Sequence, residues 1–170
     1  MPAPRLALFV PNLHDQPQQR AMVALANAMH GRGFAVDAVA PMGGGPLRTA
    51  LRRGIGQIDL AKRHTRTSVL SLARILAERR PAGLLAPGGD AGLVALAAAM
   101  LSRSGTRVVL VGRASDEAGG MRALLSRFLL PRAAAVLEDS GDPHALAERC
   151  LSALGLPSSL VAQGVDGVQQ

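Results

Sequence analysis

At 170 residues the chain is long enough for one well-buried core and too short for two ordinary domains. Hydrophobic residues make up 48% of it and the mean hydropathy is +0.21. Even so, no stretch reaches the roughly 18 uninterrupted apolar residues of a membrane-spanning helix, and the longest run, 91–101, reads as a buried helix. The net charge of +7 rests on arginine, because Lys62 is the only lysine. An anionic partner fits that charge: nucleic acid, an acidic glycan or glycolipid, or an anionic membrane surface. The bland alternative is that arginine only solubilises the surface. Three Phe with no Trp or Tyr argue against single-stranded nucleic acid, whose binding sites stack bases on rings.

The single cysteine, Cys150, excludes an intramolecular disulfide and a cysteine-based zinc cluster. Its helical spacing to Leu146, Ala147, Leu151 and Leu154 predicts an inert packed thiol. The opening MPAPR runs directly into an apolar segment that is too short and wrongly flanked for a signal peptide, which predicts a cytoplasmic location.

In chain order, residues 6–10 form an apolar run closed by Pro11, and the polar loop 12–16 leads to Pro17, a favoured first residue of a helix. Met22, Leu25, Ala26 and Met29 then recur at helical spacing until Gly31 and Gly33. A second strand is expected at 34–40, a glycine loop at 42–46, a short basic helix at 47–53 and a weak third strand at 57–60. Thr67 or Ser68 is expected to cap a helix whose face is Val69, Leu72, Ala73 and Leu76, closed by Arg79, Arg80 and Pro81. A fourth strand at 83–86 leads through Pro87, Gly88 and Gly89 to a helix capped by Asp90 and stopped at Gly105, followed by a fifth strand at 107–111.

After the polar loop 112–120, a helix is expected at 121–130 and a sixth strand at 134–137. Asp142 caps the last helix, with Pro143 in its first turn and Gly155 at its end. A strand-like piece at 159–162 precedes a polar tail, 163–170. Buried strands alternating with helices predict an α/β fold: a doubly wound, mostly parallel, Rossmann-like sheet of about six strands. It forms one domain over 1–162, with Leu25, Val36, Leu85, Val94, Val109 and Val136 in the core.

In such sheets ligands bind beyond the carboxyl ends of the strands. That rule selects five loops: Asn12, His14 and Asp15; Gly43, Gly44 and Gly45; Gly88, Gly89 and Asp90; Arg113, Ser115, Asp116 and Glu117; and Glu138, Asp139 and Ser140. Asn12, His14, Asp15, Gly88, Gly89, Asp90, Arg113, Ser115 and Glu138 are the candidate substrate-binding residues. Two glycines before a helix start let an anion approach backbone N–H groups, while Asp90 serves either as the helix cap or as an acceptor for a sugar hydroxyl. His14 and Asp15 could form an acid/base pair, or His14 is simply a solvated loop residue.

No catalytic residue is assigned. His30, His64 and His144 lack metal-ligand spacing, so no metal site is expected. The absence of glycine between Val10 and Arg20 argues against NAD and FAD, no phosphate-loop Gly-Lys-Ser/Thr is present, and no cofactor is expected. No nucleophile elbow occurs. In 121–130, Met121, Leu124, Leu125, Phe128 and Leu129 cluster beside Arg122, Arg127 and Arg132. That face either packs on the sheet or docks on an anionic membrane.

Three segments in order resemble the amino-terminal, acceptor-side domain of retaining GT-B glycosyltransferases (family 4-like). "LALFVPNL…QQRAMVALANAMHGRGFAVDAVAP" (6–41) is similar to the opening strand, loop and helix, and "LARILAERRPAGLLAPGGDAGLVALAAAMLSRSGTRVVLV" (72–111) is similar to the central helix–strand–helix–strand. "LLPRAAAVLEDSGDPHALAERCLSALGLPSSLVAQGVD" (129–166) is similar to the domain's exit. The resemblance implies an acceptor-binding domain lacking the carboxyl-terminal, donor-binding half. It departs where the family has Gly-Gly-x-Glu-Arg at the first helix: Gln16-Pro17-Gln18-Gln19-Arg20 keeps only the arginine. After the fifth strand, Gly112-Arg113-Ala114-Ser115 replaces the family's polar or His-containing segment.

The expected function is therefore a glycosyltransferase-like acceptor domain, inactive alone and dependent on a separate donor-binding polypeptide, with a glycan or glycolipid acceptor and peripheral contact with an anionic membrane. The alternative is a non-catalytic binding or regulatory module that uses the same rim for a small anionic ligand.

Overall fold

The computed structural model describes residues 3–112 and 120–161. Six strands and five helices alternate: β1 (Arg5–Phe9), α1 (Pro17–Gly31), β2 (Ala35–Ala40), β3 (Gly56–Asp59), α2 (Val69–Arg79), β4 (Gly83–Pro87), α3 (Asp90–Ser102), β5 (Arg107–Val111), α4 (Met121–Leu129), β6 (Ala135–Leu137) and α5 (Pro143–Leu154). All pairings are parallel, in the order β3-β2-β1-β4-β5-β6.

Both faces of the central strands are covered, which is why they read as continuous apolar runs instead of alternating ones. One register row, Ala38–Leu8–Leu85–Val109–Ala135, faces the core built with α1 and α5. Their neighbours Ala7, Phe9, Val39, Leu84, Ala86, Val108 and Leu110 face the second core, built with α2 and α3. Gly83 lets α5 come close, because a Cβ there would run into the Leu154 side chain. Cys150 is fully buried in the α1–α5 core, and burial pushes its thiol up to about 12, opposed in part by the Arg149 charge.

Several sequence expectations change. Val136 is half exposed on the edge strand β6, not in the core, because no element among the described residues covers its side of the three-residue strand; Leu25, Val36, Leu85, Val94 and Val109 are buried as expected. The 47–53 segment is a single 3-10 turn, Pro46–Ala50. Ser68 takes the cap position of α2, as expected, but its side chain makes no capping bond: a 3-10 turn, Thr65–Ser68, precedes the helix, and the Thr67 and Ser68 hydroxyls donate back to the His64 carbonyl. Residues 159–161 form no strand; the backbone N–H of Leu160 bonds Arg32 O at 2.8 Å and ties the chain to the end of α1. The tail 163–170 lies outside the described residues. Asp142 does cap α5, its Oδ1 accepting from the His144 backbone N–H at 2.9 Å.

Asp37 on β2 accepts from Arg5 Nη1 at 2.7 Å and Arg79 Nη1 at 3.3 Å, so β1, β2 and the last turn of α2 share one carboxylate. Burial is tolerable because both guanidiniums supply charge-assisted hydrogen bonds.

Candidate functional site

From β1 the chain builds leftward through β2 and β3, and from β4 it builds rightward through β5 and β6. The order therefore reverses between β1 and β4, and the crevice at their carboxyl ends is the place where such sheets bind ligands. The loops that meet this crevice are Asn12–Gln16 after β1 and Gly88–Gly89 after β4.

Each loop is held by its own short-range bonds. Asn12 Oδ1 accepts the His14 backbone N–H at 3.0 Å, a self-contained turn. The glycine loop braces it: Leu47 N–H donates to Leu13 O at 3.0 Å, and Gly45 sits where any Cβ would strike the Leu13 carbonyl. Pro17 starts α1 with no capping side chain, and Gln18 Nε2 lies 4.0 Å from where a Cβ on Gly112 would stand, so the start of α1 leans toward the end of β5. Gln19, in the first turn of α1, is buried, and its Oε1 has no donor among the described residues.

On the β4 side, Gly88 N–H donates to Val111 O at 3.0 Å. Gly89 has φ +80°, a conformation L side chains rarely adopt, which explains glycine there.

The carboxylates at this rim are not free. Asp15 Oδ1 accepts from Arg20 Nε at 2.9 Å, and no hydrogen bond joins the exposed His14 ring to it among the described residues. Asp90 is the first residue of α3, with Gly89 in the cap position, and its side chain makes no capping bond. Its Oδ2 lies 3.2 Å from Arg66 Nη2 and its Oδ1 3.1 Å from Arg122 Nε. The expectation that Asp90 caps the helix is thus corrected: as first helical residue it cannot reach back over the first N–H groups, and two guanidiniums claim it instead.

Glu138 is exposed just past β6, with its carbonyl accepting from Arg149 Nη1 at 3.2 Å, while Asp139 Oδ1 holds the Gly141 N–H at 2.9 Å. Arg113, Ser115, Asp116 and Glu117 lie outside the described residues. The structure therefore ranges Asn12, His14, Asp15, Gly88, Gly89, Asp90 and Glu138 along the carboxyl-end edge of the sheet, with the first five in the two switch-point loops and Asp90 opening α3.

Arg66 and the cleft beside Asp90 carry no signal in the sequence pattern. There a space of about 270 Å³ opens between the turn before α2, the outer face of α3, and α4. Its apolar wall includes Leu93, Ala97 and Leu129, and Arg66, Asp90 and Arg122 stand at one end. The i, i+4 spacing of Met121, Leu125 and Leu129 was visible in sequence; that only Leu129 would be buried was not. Met121, Leu124, Leu125 and Phe128 stay exposed, the first of them 72%, so α4 packs on α3 by one edge and leaves most of its apolar face to solvent. Arg132 lies over the Phe128 ring, 4.1 Å from its centre.

Among the described residues no three His, Cys, Asp or Glu side chains converge as a metal set, and no helix is long and apolar enough to cross a membrane.

No family model matches the chain, and no curated protein matches it. Solved structures do. The UDP-GlcNAc 2-epimerase from Methanocaldococcus jannaschii aligns over 91% of this chain and 43% of its own, with a TM-score of 0.55 and 11% identity. MurG from Acinetobacter baumannii aligns over 79% of this chain and 41% of its own, with a TM-score of 0.54 and 20% identity. The chain spans less than half the length of either. Its fold is that of one Rossmann-like half of GT-B-fold proteins.

Proposed function

We propose that this domain is the acceptor-side wall of a two-domain enzyme acting on a nucleotide sugar, and that it transfers no sugar without a donor-binding domain. The observation that carries the reading is the match to one half of two GT-B-fold proteins, one of them an enzyme of UDP-GlcNAc, combined with a strand-end crevice whose loops stand at the switch point. Sugar transfer requires donor phosphates to be neutralised and the anomeric carbon to be held against the acceptor hydroxyl, which needs groups converging from two sides. This side offers Asp15 and Asp90, which the sequence expects Arg113, outside the described residues, to join, and no glycine in the first loop for close approach of a diphosphate. The purified chain, assayed against a panel of nucleotide sugars with membrane-lipid acceptors, is expected to show no turnover until a donor-binding domain is added. Turnover by the chain alone, abolished by Asp90→Ala, would overturn this reading.

A second reading, a non-catalytic module that binds a small anion at the rim, is favoured by one feature: Asp15 and Asp90 are both occupied by arginines, so neither is poised as a general base. Saturable binding of inorganic phosphate with no preference for sugar nucleotides would select it.

Peripheral attachment to an anionic membrane accompanies the first reading. It is supported by the exposed Leu124 and Phe128 beside Arg127 and Arg132. Vesicles containing anionic lipid should sediment the protein at low salt and release it at high salt; failure to sediment removes this part alone.

A further inference from the structure

We infer that the cleft between α3 and α4 is a binding site for a single-chain amphiphile: one alkyl or prenyl chain in the apolar cleft and a phosphate head against Arg66. The inference is independent of sugar transfer and stands whether or not that reading holds.

Three observations support it. The first is shape and lining. About 270 Å³ of space, the liquid share of roughly nine waters, is walled by Val69, Leu93, Ala97, Met121, Leu125 and Leu129. Without a polar partner along its sides, water there gains little, and an alkyl chain of about that many methylenes fits the volume.

The second is the polarity of one end. Arg66 donates to Asp90 through Nε (3.3 Å) and Nη2 (3.2 Å), both to the same oxygen, and its side chain is 74% exposed. Its Nη1 has no partner among the described residues, so a planar donor edge remains for an oxyanion.

The third is the role of Asp90. Its other oxygen faces Arg122, so the carboxylate meets a guanidinium on each side and holds both at the mouth instead of presenting bare negative charge to the ligand. Asp90 is thus a positioning residue. A bilayer surface would engage the outward Leu124 and Phe128, whereas this site uses the inward wall of Leu93, Ala97 and Leu129, and the two are separable by experiment.

The test uses hexyl, octyl and decyl phosphate and decanol, each below its micelle concentration, with binding followed in methyl-labelled methionine spectra. Met121 is one of six methionines and the one that lines the cleft. The Met121 methyl should shift saturably, with affinity rising about fourfold per added methylene from hexyl to decyl phosphate. Decyl phosphate should bind about tenfold more tightly than decanol, and Arg66→Gln should remove that tenfold advantage while leaving decanol unchanged. Ala97→Phe, which fills the cleft, should abolish binding of every chain. Leu125→Glu, on the exposed rim, should do so for the phosphates even if the first variant folds poorly.

Affinity independent of chain length overturns the inference, as does equal binding of decanol and decyl phosphate in the wild type. So does sedimentation on anionic vesicles without any Met121 shift by monomeric decyl phosphate, which would make the face a bilayer surface only.

Discussion

Leu85 and Leu124 are the same residue type in regular structure, and the molecule treats them oppositely. Leu85 sits in β4 between Leu8 and Val109, with helices over both faces of the sheet, and is 1% exposed. Leu124 sits on α4, a helix with one buried residue, and is 63% exposed. The centre of the sheet is where the chain invests its apolar side chains in folding. The α3–α4 flank leaves apolar side chains exposed among the described residues, and the proposed binding site rests on that surface.

The sharpest way to break this contrast is Leu85→Asp, which buries an unpaired carboxylate in the central row. It should cost about 4 kcal/mol or more, enough to unfold a marginal domain, as read by urea denaturation. A variant that stays folded with a small change would refute the central-core assignment.

Next in size is Gly83→Ala, where the added methyl meets Leu154. Overpacking there should cost about 1–3 kcal/mol, and Leu154→Ala in the same chain should recover part of it, since the pair is in direct contact.

Cys150 gives a pH test of the same core. Its thiol is raised from 9.0 to about 12 in the folded protein, so above pH 9 the unfolded chain ionises while the folded one does not. The thiol's contribution is intact below pH 9 and is lost as pH climbs toward 12, at up to about 1.4 kcal/mol per pH unit. Wild type should lose stability faster than Cys150→Ala above pH 9 and in parallel with it below, measured by denaturation across pH.

The smallest effects are expected at the periphery: Leu124→Gln and Val136→Thr should each change stability by less than about 0.5 kcal/mol. A large loss at Leu124 would mean that α4 is part of the folding core after all.

Much of the architecture was legible from local chemistry. The strand beginning before Pro11, Pro17 opening α1, Asp142 with Pro143 opening α5 and Gly155 closing it all follow from capping and backbone restriction, which act over a few residues. The site was legible only as a set of loops. Asn12 to Asp15 and Gly88 to Asp90 could be selected by the strand-end rule, but the partners of their side chains could not. Asp90 looked like a cap by its place after two glycines, and the helix instead begins on it because Gly89 takes the cap position.

The alternation of strands and helices, and hence the doubly wound class, is written in the amino-acid order, since burial on two faces produces apolar runs and turn chemistry produces the breaks. Which charges meet and which apolar faces stay open depends on how the elements pack. Arg66, Asp90 and Arg122 come from three separate elements, as do Arg5, Asp37 and Arg79, and no periodicity links residues brought together by crossovers. Val136 and the α4 stripe carry the same apolar signal as the core. Whether such a residue is buried depends on what packs over it, and at the β6 edge and the outer side of α4 nothing among the described residues does.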